Sequence, residues 1–459
     1  MPDRERPQRP SVEERRRLGR EARKRVPRGS HEGWRPDARR ADPLVLLAAQ
    51  DMSRIADLVP VRYGRMAVSP FTFYRGSSAV MAADLAGTPV SGIDVQLCGD
   101  AHLSTFGLYA SPERTLLFDV NDFDETLPGP FEWDVKRLAA SVTIAGRGNG
   151  FAADATRDAT LAAVRSYREH MLAYAELRDL EVWYSKVAAD DLLALVEKTT
   201  GVSAAKTAKG LAKARGRDNL QAFAKLTEVV DGVHRIREDP PLLIRVVDQI
   251  DNQVARHAFA HYIHTLEDDR RVLMERYTPV DIGRKVVGVG SVGTMCLVVL
   301  LEGRDDDDPL LLQVKEAGHS VLEAYLGPSR YTNHGHRVVA GQRLMQAYSD
   351  IFLGWMRGAG AEHRHFYWRQ LRDMKGSAAI ERMKPQRLLL YAEACGWALA
   401  RAHARSGDRI AIAAYLGLGD RFDRAVADFA AVYADQAERD HERLARAIAK
   451  GEIAAQAGL

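Results

Sequence analysis

The stretch Cys98–Glu125, C-G-D-A-H-L-S-T-F-G-L-Y-A-S-P-E-R-T-L-L-F-D-V-N-D-F-D-E, constrains this chain more than any other. Asp100 and His102 open it, and Asp119, Asp122 and Asp124 close it about twenty residues later. Between them, Phe106–Ala110 and Thr115–Val120 are apolar, β-branched or aromatic, and Ser111-Pro112-Glu113-Arg114 is a turn signal. The spacing predicts a hairpin that returns the second acidic cluster to the rim where the first begins. Carboxylates gathered there repel one another, which a divalent cation between them relieves.

This layout resembles the catalytic loop and metal-binding segment of protein-kinase-like phosphotransferases, in the aminoglycoside-kinase branch. The loop there runs H-G-D-x-H-x-x-N. Gly99, Asp100 and His102 match it, while Cys98 and Thr105 stand where the first His and the metal-binding Asn would be. Asp122-Phe123-Asp124 is similar to D-F-G. Twelve residues past Asp122 comes Asp134, in E-W-D-V-K-R-L-A-A-S, placed like the helix-start Asp that braces the loop in those kinases.

With 459 residues, 46% of them hydrophobic and 28% charged, the chain has material for two or three lobes and a large core. Its net charge of +3 is uneven. Residues 1–40 carry 14 Arg and Lys against 7 Asp and Glu, which leaves about −4 for the rest. The expectation is a solvated, partly disordered basic tail, with nucleic acid or anionic lipid as a secondary partner. Cys98, Cys296 and Cys395 are dispersed, so they form no metal-ligand spacing or disulfide framework and suit a reducing compartment. No apolar run approaches the roughly 18 residues of a membrane span, and no secretory h-region is visible, so the expected location is the cytoplasm.

From Phe131 to about Leu266 the periodicity is helical. Thr199–Asp218, basic and rich in Ala and Gly, reads as a mobile surface insertion. Arg62, Arg65 and Arg75 gather among aromatics, where they pair with nearby acids or hold a phosphate. The character changes near Val286. Gly288, Gly290 and Gly293 form G-x-G-x-x-G with Ser291 inside it, and a β-rich run follows instead of the helix of a dinucleotide fold. Leu310–Val314 reads as a strand ending at Lys315. Strand, glycine turn, strand, turn, strand and terminal lysine is how a kinase covers and pairs the ATP phosphates. Glu323, in the helical segment that follows, is the candidate partner of that lysine. Ile351–Met356 and Phe366–Leu371 read as strands, Arg372–Ser377 as a hinge, and Gln386–Arg405 as an amphipathic helix whose His403 is packed.

These pieces stand in rotated order, with catalytic loop and metal acids before glycine turn and lysine. The motifs Y-R-G-S, C-G-D-A-H-L, F-D-V-N-D-F-D-E-T-L-P-G-P-F-E-W-D-V-K-R-L-A-A-S, V-V-G-V-G-S-V-G-T and L-Q-V-K-E-A are similar to those of the bacterial domain-of-unknown-function 2252 family, across roughly residues 20–450. Together the resemblances imply an α+β, two-lobed, protein-kinase-like fold, circularly permuted, with a mostly helical C-lobe and a small antiparallel-sheet N-lobe. The expected division is a tail over 1–40, a catalytic-loop and helical region over 41–275, a sheet region over 276–380, and helices over 381–459 that rejoin the helical lobe.

The implied activity is transfer of the ATP γ-phosphate to a hydroxyl of a small-molecule acceptor, with ATP and Mg²⁺ as cofactors. Asp100 and His102 would be catalytic. Asp122, with Asp119, Asp124 or Thr105, would hold the metal. Gly288, Gly290, Ser291, Gly293, Lys315 and Glu323 would hold the nucleotide. Two alternatives stand beside it: a nucleotide-binding pseudokinase regulator, supported by Thr105, and a metal-dependent hydrolase using Asp100, His102, Asp119 and Asp122.

Overall fold

Helix Phe131–Gly148 is buried along almost its whole length. Pro130 precedes it and Glu132 and Asp134 fill its first turn, where acidic groups favour the helix dipole. In this computed structural model, which describes residues 10–200, 205–217, 219–246, 252–358 and 364–458, it is the axis of a helical body. Helices Ala153–Glu176, Pro385–Ser406 and Arg421–Ala449 pack around it. The chain is mixed α+β, with small antiparallel sheets set against that body.

Helix Pro385–Ser406 lies against Ala153–Glu176 at very short range. A Cβ on Gly396 would stand 2.1 Å from the Ala163 carbonyl oxygen. Its far end meets the strand Asp94–Leu97: the Gln96 amide donates to Ser406 Oγ at 3.2 Å. His403 is fully buried, as its apolar neighbourhood in the sequence suggests.

A six-stranded antiparallel sheet forms the second layer. Its order is Gly354–Arg357, His365–Gln370, Pro309–Ala317, Cys296–Glu302, Thr278–Lys285 and Leu243–Arg245. Val298, Leu300 and Leu311 face one small core, and Val299, Leu301, Leu310, Leu312 and Val314 another. Leu243–Arg245 joins the sheet ahead of residue 276 by edge pairing with Thr278–Lys285, a partner that its local sequence does not indicate. The expected strand Ile351–Met356 begins only at Gly354, since Asp350 Oδ1 accepts from the Phe352 amide and turns the chain there.

After His365–Gln370 the chain crosses to the helical body over residues 371–379. Gly376 exchanges both backbone hydrogen bonds with Leu108 of the hairpin Phe106–Ala110/Leu116–Val120, at 2.8 and 3.0 Å.

The basic tail differs from expectation over its described residues. Val12–Arg25 is a helix with a Ser11–Glu14 capping box, and Trp34 packs on Phe429 and Tyr433. Several of its described arginines are matched by carboxylates, among them Arg15 with Asp408, and Arg40 with Asp84 and Asp440. Pairing of this kind is invisible to a local charge count. Within the expected insertion Thr199–Asp218, Ala205–Arg215 is a helix with Leu211 and Ala214 buried; 201–204 and 218 lie outside the described residues.

The helix contact gives a direct test. Gly396→Ala should lose about 1–3 kcal/mol in urea unfolding, because the packed carbonyl must move. Gly148→Ala ends a helix in open space and should be neutral or stabilising by up to about 1 kcal/mol. Equal effects at the two positions would show that the helices are not in contact as described.

Candidate functional site

Strand Asp94–Leu97 pairs with Leu127–Pro130, which puts the loop after the first strand beside the residues before the second. Gly99 has φ +84°, and a Cβ there would lie 2.4 Å from the Glu125 carbonyl oxygen, so glycine is required on both counts. Asp134 holds the loop from below. Its carboxylate accepts from the Cys98 amide at 2.8 Å and the Gly99 amide at 3.1 Å, and His403 Nε2 stands 3.3 Å away. This is the bracing arrangement that the position of Asp134 in the sequence suggests.

Asp100 rises from that loop with 22% of its side chain accessible. Arg137, one helical turn beyond Asp134, donates Nε to Asp100 Oδ1 at 2.6 Å. Burial nevertheless pushes the Asp100 carboxyl up to about 6, against the pull of Arg137. Both groups are therefore charged at pH 7. His102 is buried, and burial together with Arg75 and Arg137 holds it well below the usual imidazole value, so it is neutral. Its Nδ1 accepts from the Ser104 amide at 3.1 Å, which leaves the proton on Nε2, 3.7 Å from Asp100 Oδ2.

The second acidic cluster divides. Asp119 is 1% exposed and turned away, bound to Arg401 at 2.7 Å and to the Ala347 amide at 3.0 Å. Asp122 is exposed. Although the residue is exposed, partial loss of solvent at its carboxyl and then the neighbouring Asp124 raise that group above the ordinary value. Asp124 Oδ2 meets Lys315 Nζ at 2.5 Å, and Asp124 Oδ1 accepts from Tyr367 OH at 2.7 Å. Burial opposes ionisation of Asp124, but Lys315 outweighs it and the carboxyl is lowered. The acid that reaches the lysine is thus Asp124, two residues beyond the one the D-F-G resemblance puts forward.

Thr105 and Glu323 are engaged elsewhere. The Thr105 hydroxyl donates to the Asp100 carbonyl at 2.7 Å and accepts from the His102 amide at 3.2 Å, closing the loop on itself. Glu323 accepts from His319 and the Ser320 amide, while Lys315 has Asp124. Gly288, Gly290, Ser291 and Gly293 form an irregular turn between two strands of the sheet. It is anchored by Arg65 on the Gly288 carbonyl at 2.7 Å and by the Ile55 amide on the Gly293 carbonyl at 2.8 Å. A Cβ on Gly290 would sit 2.9 Å from the Arg75 carbonyl oxygen, so the glycine turn touches the Arg75 segment.

Of the three arginines singled out in the sequence, Arg62 pairs with Asp51 at 2.5 Å, the plainer of the two expectations. Arg75 differs. Its Nε is buried without a hydrogen-bond partner, and its charge acts on Asp100, His102 and Asp122. Sequence reading missed Arg137, Tyr367, Arg369 and Lys375. Arg137 was legible, since it lies three residues after Asp134 on the same helix face. Tyr367 and Arg369 were not, because they enter through cross-strand register with Lys315 and Gln313. Arg369 donates to Gln313 Oε1 at 3.0 Å and to the Asn121 carbonyl at 3.2 Å. Burial and then Arg369 lower Lys375 to about 7. Lys375 and Arg369 line a shallow open pocket with Tyr109, Asn121, Gln346 and Asp350.

Asp124 thus binds Lys315, Asp122 feels the charges of Asp124, Lys315 and Arg369, and Asp100 feels those of Asp122 and Arg75, so acids and bases alternate around this segment. The chain matches the family described as "Uncharacterized protein conserved in bacteria (DUF2252)" over residues 54–447. It belongs to that family, as its motifs suggest. No curated protein and no solved structure matches the chain. The three cysteines are free and buried, and among the described residues no helix is long and apolar enough to cross a membrane.

The loop brace can be tested alone. Asp134→Ala strands two buried amides, at about 1–3 kcal/mol each, so a loss of about 2–5 kcal/mol is expected in denaturant unfolding. Asp134→Asn keeps one acceptor and should lose less. A stability unchanged by both would mean that Asp134 does not hold the loop.

Proposed function

We propose that this protein is a kinase-like phosphotransferase of circularly permuted topology. The reading rests foremost on the Lys315–Asp124 contact. It joins the lysine at the end of a sheet strand to the acidic segment after the hairpin, 191 residues apart, beside Asp100 and Asp122. The rotated order is supported by the junction at Gln96 and Ser406. There the helix that resembles the one before a kinase catalytic loop ends against the strand that leads into Asp100.

The residues fit a nucleotide and a magnesium ion. Asp122 offers exposed hard oxygen ligands, and Arg75 has a buried donor without a partner. Asp122 would hold Mg²⁺, with Asp124 beside it; the ion would neutralise phosphate charge. Lys315 and Arg369 bring positive charge to the same anions, and Arg75 orients the group being transferred. Asp100 accepts the proton of the acceptor hydroxyl, and neutral His102 stands beside it with Nε2 3.7 Å from Oδ2. The acceptor is a small molecule, because no activation-loop A-P-E follows Asp122.

A second reading, nucleotide binding without transfer, is favoured by Arg137, which neutralises the proposed base, and by Thr105, whose hydroxyl is spent within the loop. The hydrolase reading needs Asp119 at the centre and has no comparable support, as Asp119 is sealed against Arg401.

Mg²⁺-ATP at about 100 times its Kd should stabilise the protein by about 2.7 kcal/mol, read as a rise in Tm. Lys315→Ala should remove most of that rise. Asp100→Asn should keep it and abolish transfer of labelled phosphate. Transfer should also fall as pH drops through about 6, where Asp100 takes up a proton. Binding without transfer selects the second reading, and no rise in Tm at millimolar nucleotide defeats both.

A further inference from the structure

We propose that His319, Glu323 and His334 form a zinc-binding site, separate from the phosphotransfer cleft and from any magnesium held there. One ligand atom from each lies within 4.8 Å of the others. His319 Nδ1 stands 2.8 Å from Glu323 Oε2, and His334 Nδ1 stands 3.8 Å from Glu323 Oε1. The two imidazole rings are 4.2 Å apart between centroids. Ligands of a tetrahedral zinc at bonds of about 2.0–2.2 Å sit roughly 3.3 Å from one another, so the observed spacings need only small side-chain rotations. His319 is 81% exposed and free to make them.

A second observation points to a ligand. His334 Nδ1 is buried and has no hydrogen-bond partner, although it faces the Glu323 carboxylate. A buried imidazole nitrogen without a partner is costly, and a metal ion supplies the missing contact. The backbone pre-sets this geometry. The His334 amide donates to His365 Nδ1 at 3.2 Å, and Asn333 caps the helix His334–Met345 through the His336 amide. The Ser320 amide steadies Glu323 Oε1 at 3.3 Å, and Arg337 Nε lies 4.0 Å from the same oxygen.

Two imidazoles and one carboxylate are a zinc donor set and leave a fourth position for water. Magnesium and calcium prefer oxygen ligands throughout.

Such an ion would clip the segment after the Lys315 strand to the start of helix His334–Met345. Arg337 of that helix donates to the carbonyl oxygens of Asp124 and Gly318, both at about 2.8–2.9 Å. The clip therefore bears on the backbone that carries Asp124.

The test uses the full chain, stripped with a chelator, dialysed, and titrated with Zn²⁺ alone against a chromophoric competitor. The expected result is one equivalent per chain with a Kd of about 1 μM or tighter, and no competition from Mg²⁺ at a hundredfold excess. Loss of a supporting contact costs about 10–100-fold in metal affinity, so removing a ligand should cost about 100-fold or more. His319→Ala is exposed and should fold, and Glu323→Gln and His334→Gln should fall by the same order. His257→Ala, an exposed histidine elsewhere, should bind as the wild type does. No zinc uptake by the wild type, or uptake of unchanged affinity in His319→Ala and Glu323→Gln, would overturn the site.

Discussion

Lys315 and Asp124 carry the charge contact between sheet and helical body. The lysine is only 4% exposed, so its charge is tolerable only because a carboxylate meets it at 2.5 Å and the Tyr367 ring lies below it at 5.6 Å. Cutting away one partner of such a pair leaves an unpaired charge in a poorly solvated place, at about 3–5 kcal/mol. The contact fixes how the end of strand Pro309–Ala317 stands over the acidic segment.

Arginine side chains extend the same logic through the molecule. Arg337 donates to the carbonyls of Thr126, Asp124 and Gly318 and so ties the acidic segment to the residues after Lys315. Arg401 holds Asp119 behind the hairpin, and Arg137 holds Asp100 in front of it. Guanidinium groups suit this work because several donors in a fixed plane reach separate acceptors at once. The cleft is consequently a charge-balanced frame: acids that are tied face inward, and Asp122 is left exposed. An anion entering it meets Arg75, whose Nε has no partner to give up.

Much of the secondary structure was legible locally. The hairpin Phe106–Ala110/Leu116–Val120, the helix Pro385–Ser406 and the strand ending near Lys315 follow from alternation, from helical periodicity and from turn residues. The Asp134 brace was legible only through the kinase resemblance, since the amides it meets, those of Cys98 and Gly99, lie more than thirty residues earlier in the chain. Less legible were the short edge strand Leu243–Arg245 and the ordered residues 10–40. Both depend on partners far along the chain, Thr278–Lys285 in one case and Asp84, Asp408 and Asp440 in the other.

The sequence by itself determined which chemistry-bearing residues exist, their local spacing, and the family to which the chain belongs. Only the tertiary structure decided which of them meet. Asp119, Asp122 and Asp124 are near neighbours in sequence, yet one is sealed against Arg401, one is exposed and one is bound to Lys315. Glu323 sits where a lysine partner was expected but faces His319 and His334. The reason is the range of the forces involved. Turn and helix preferences act over a few residues of chain, while ion pairs and hydrogen bonds act over about 3 Å of space. Register across strands, with Lys315 opposite Tyr367 and Gln313 opposite Arg369, sets that last distance.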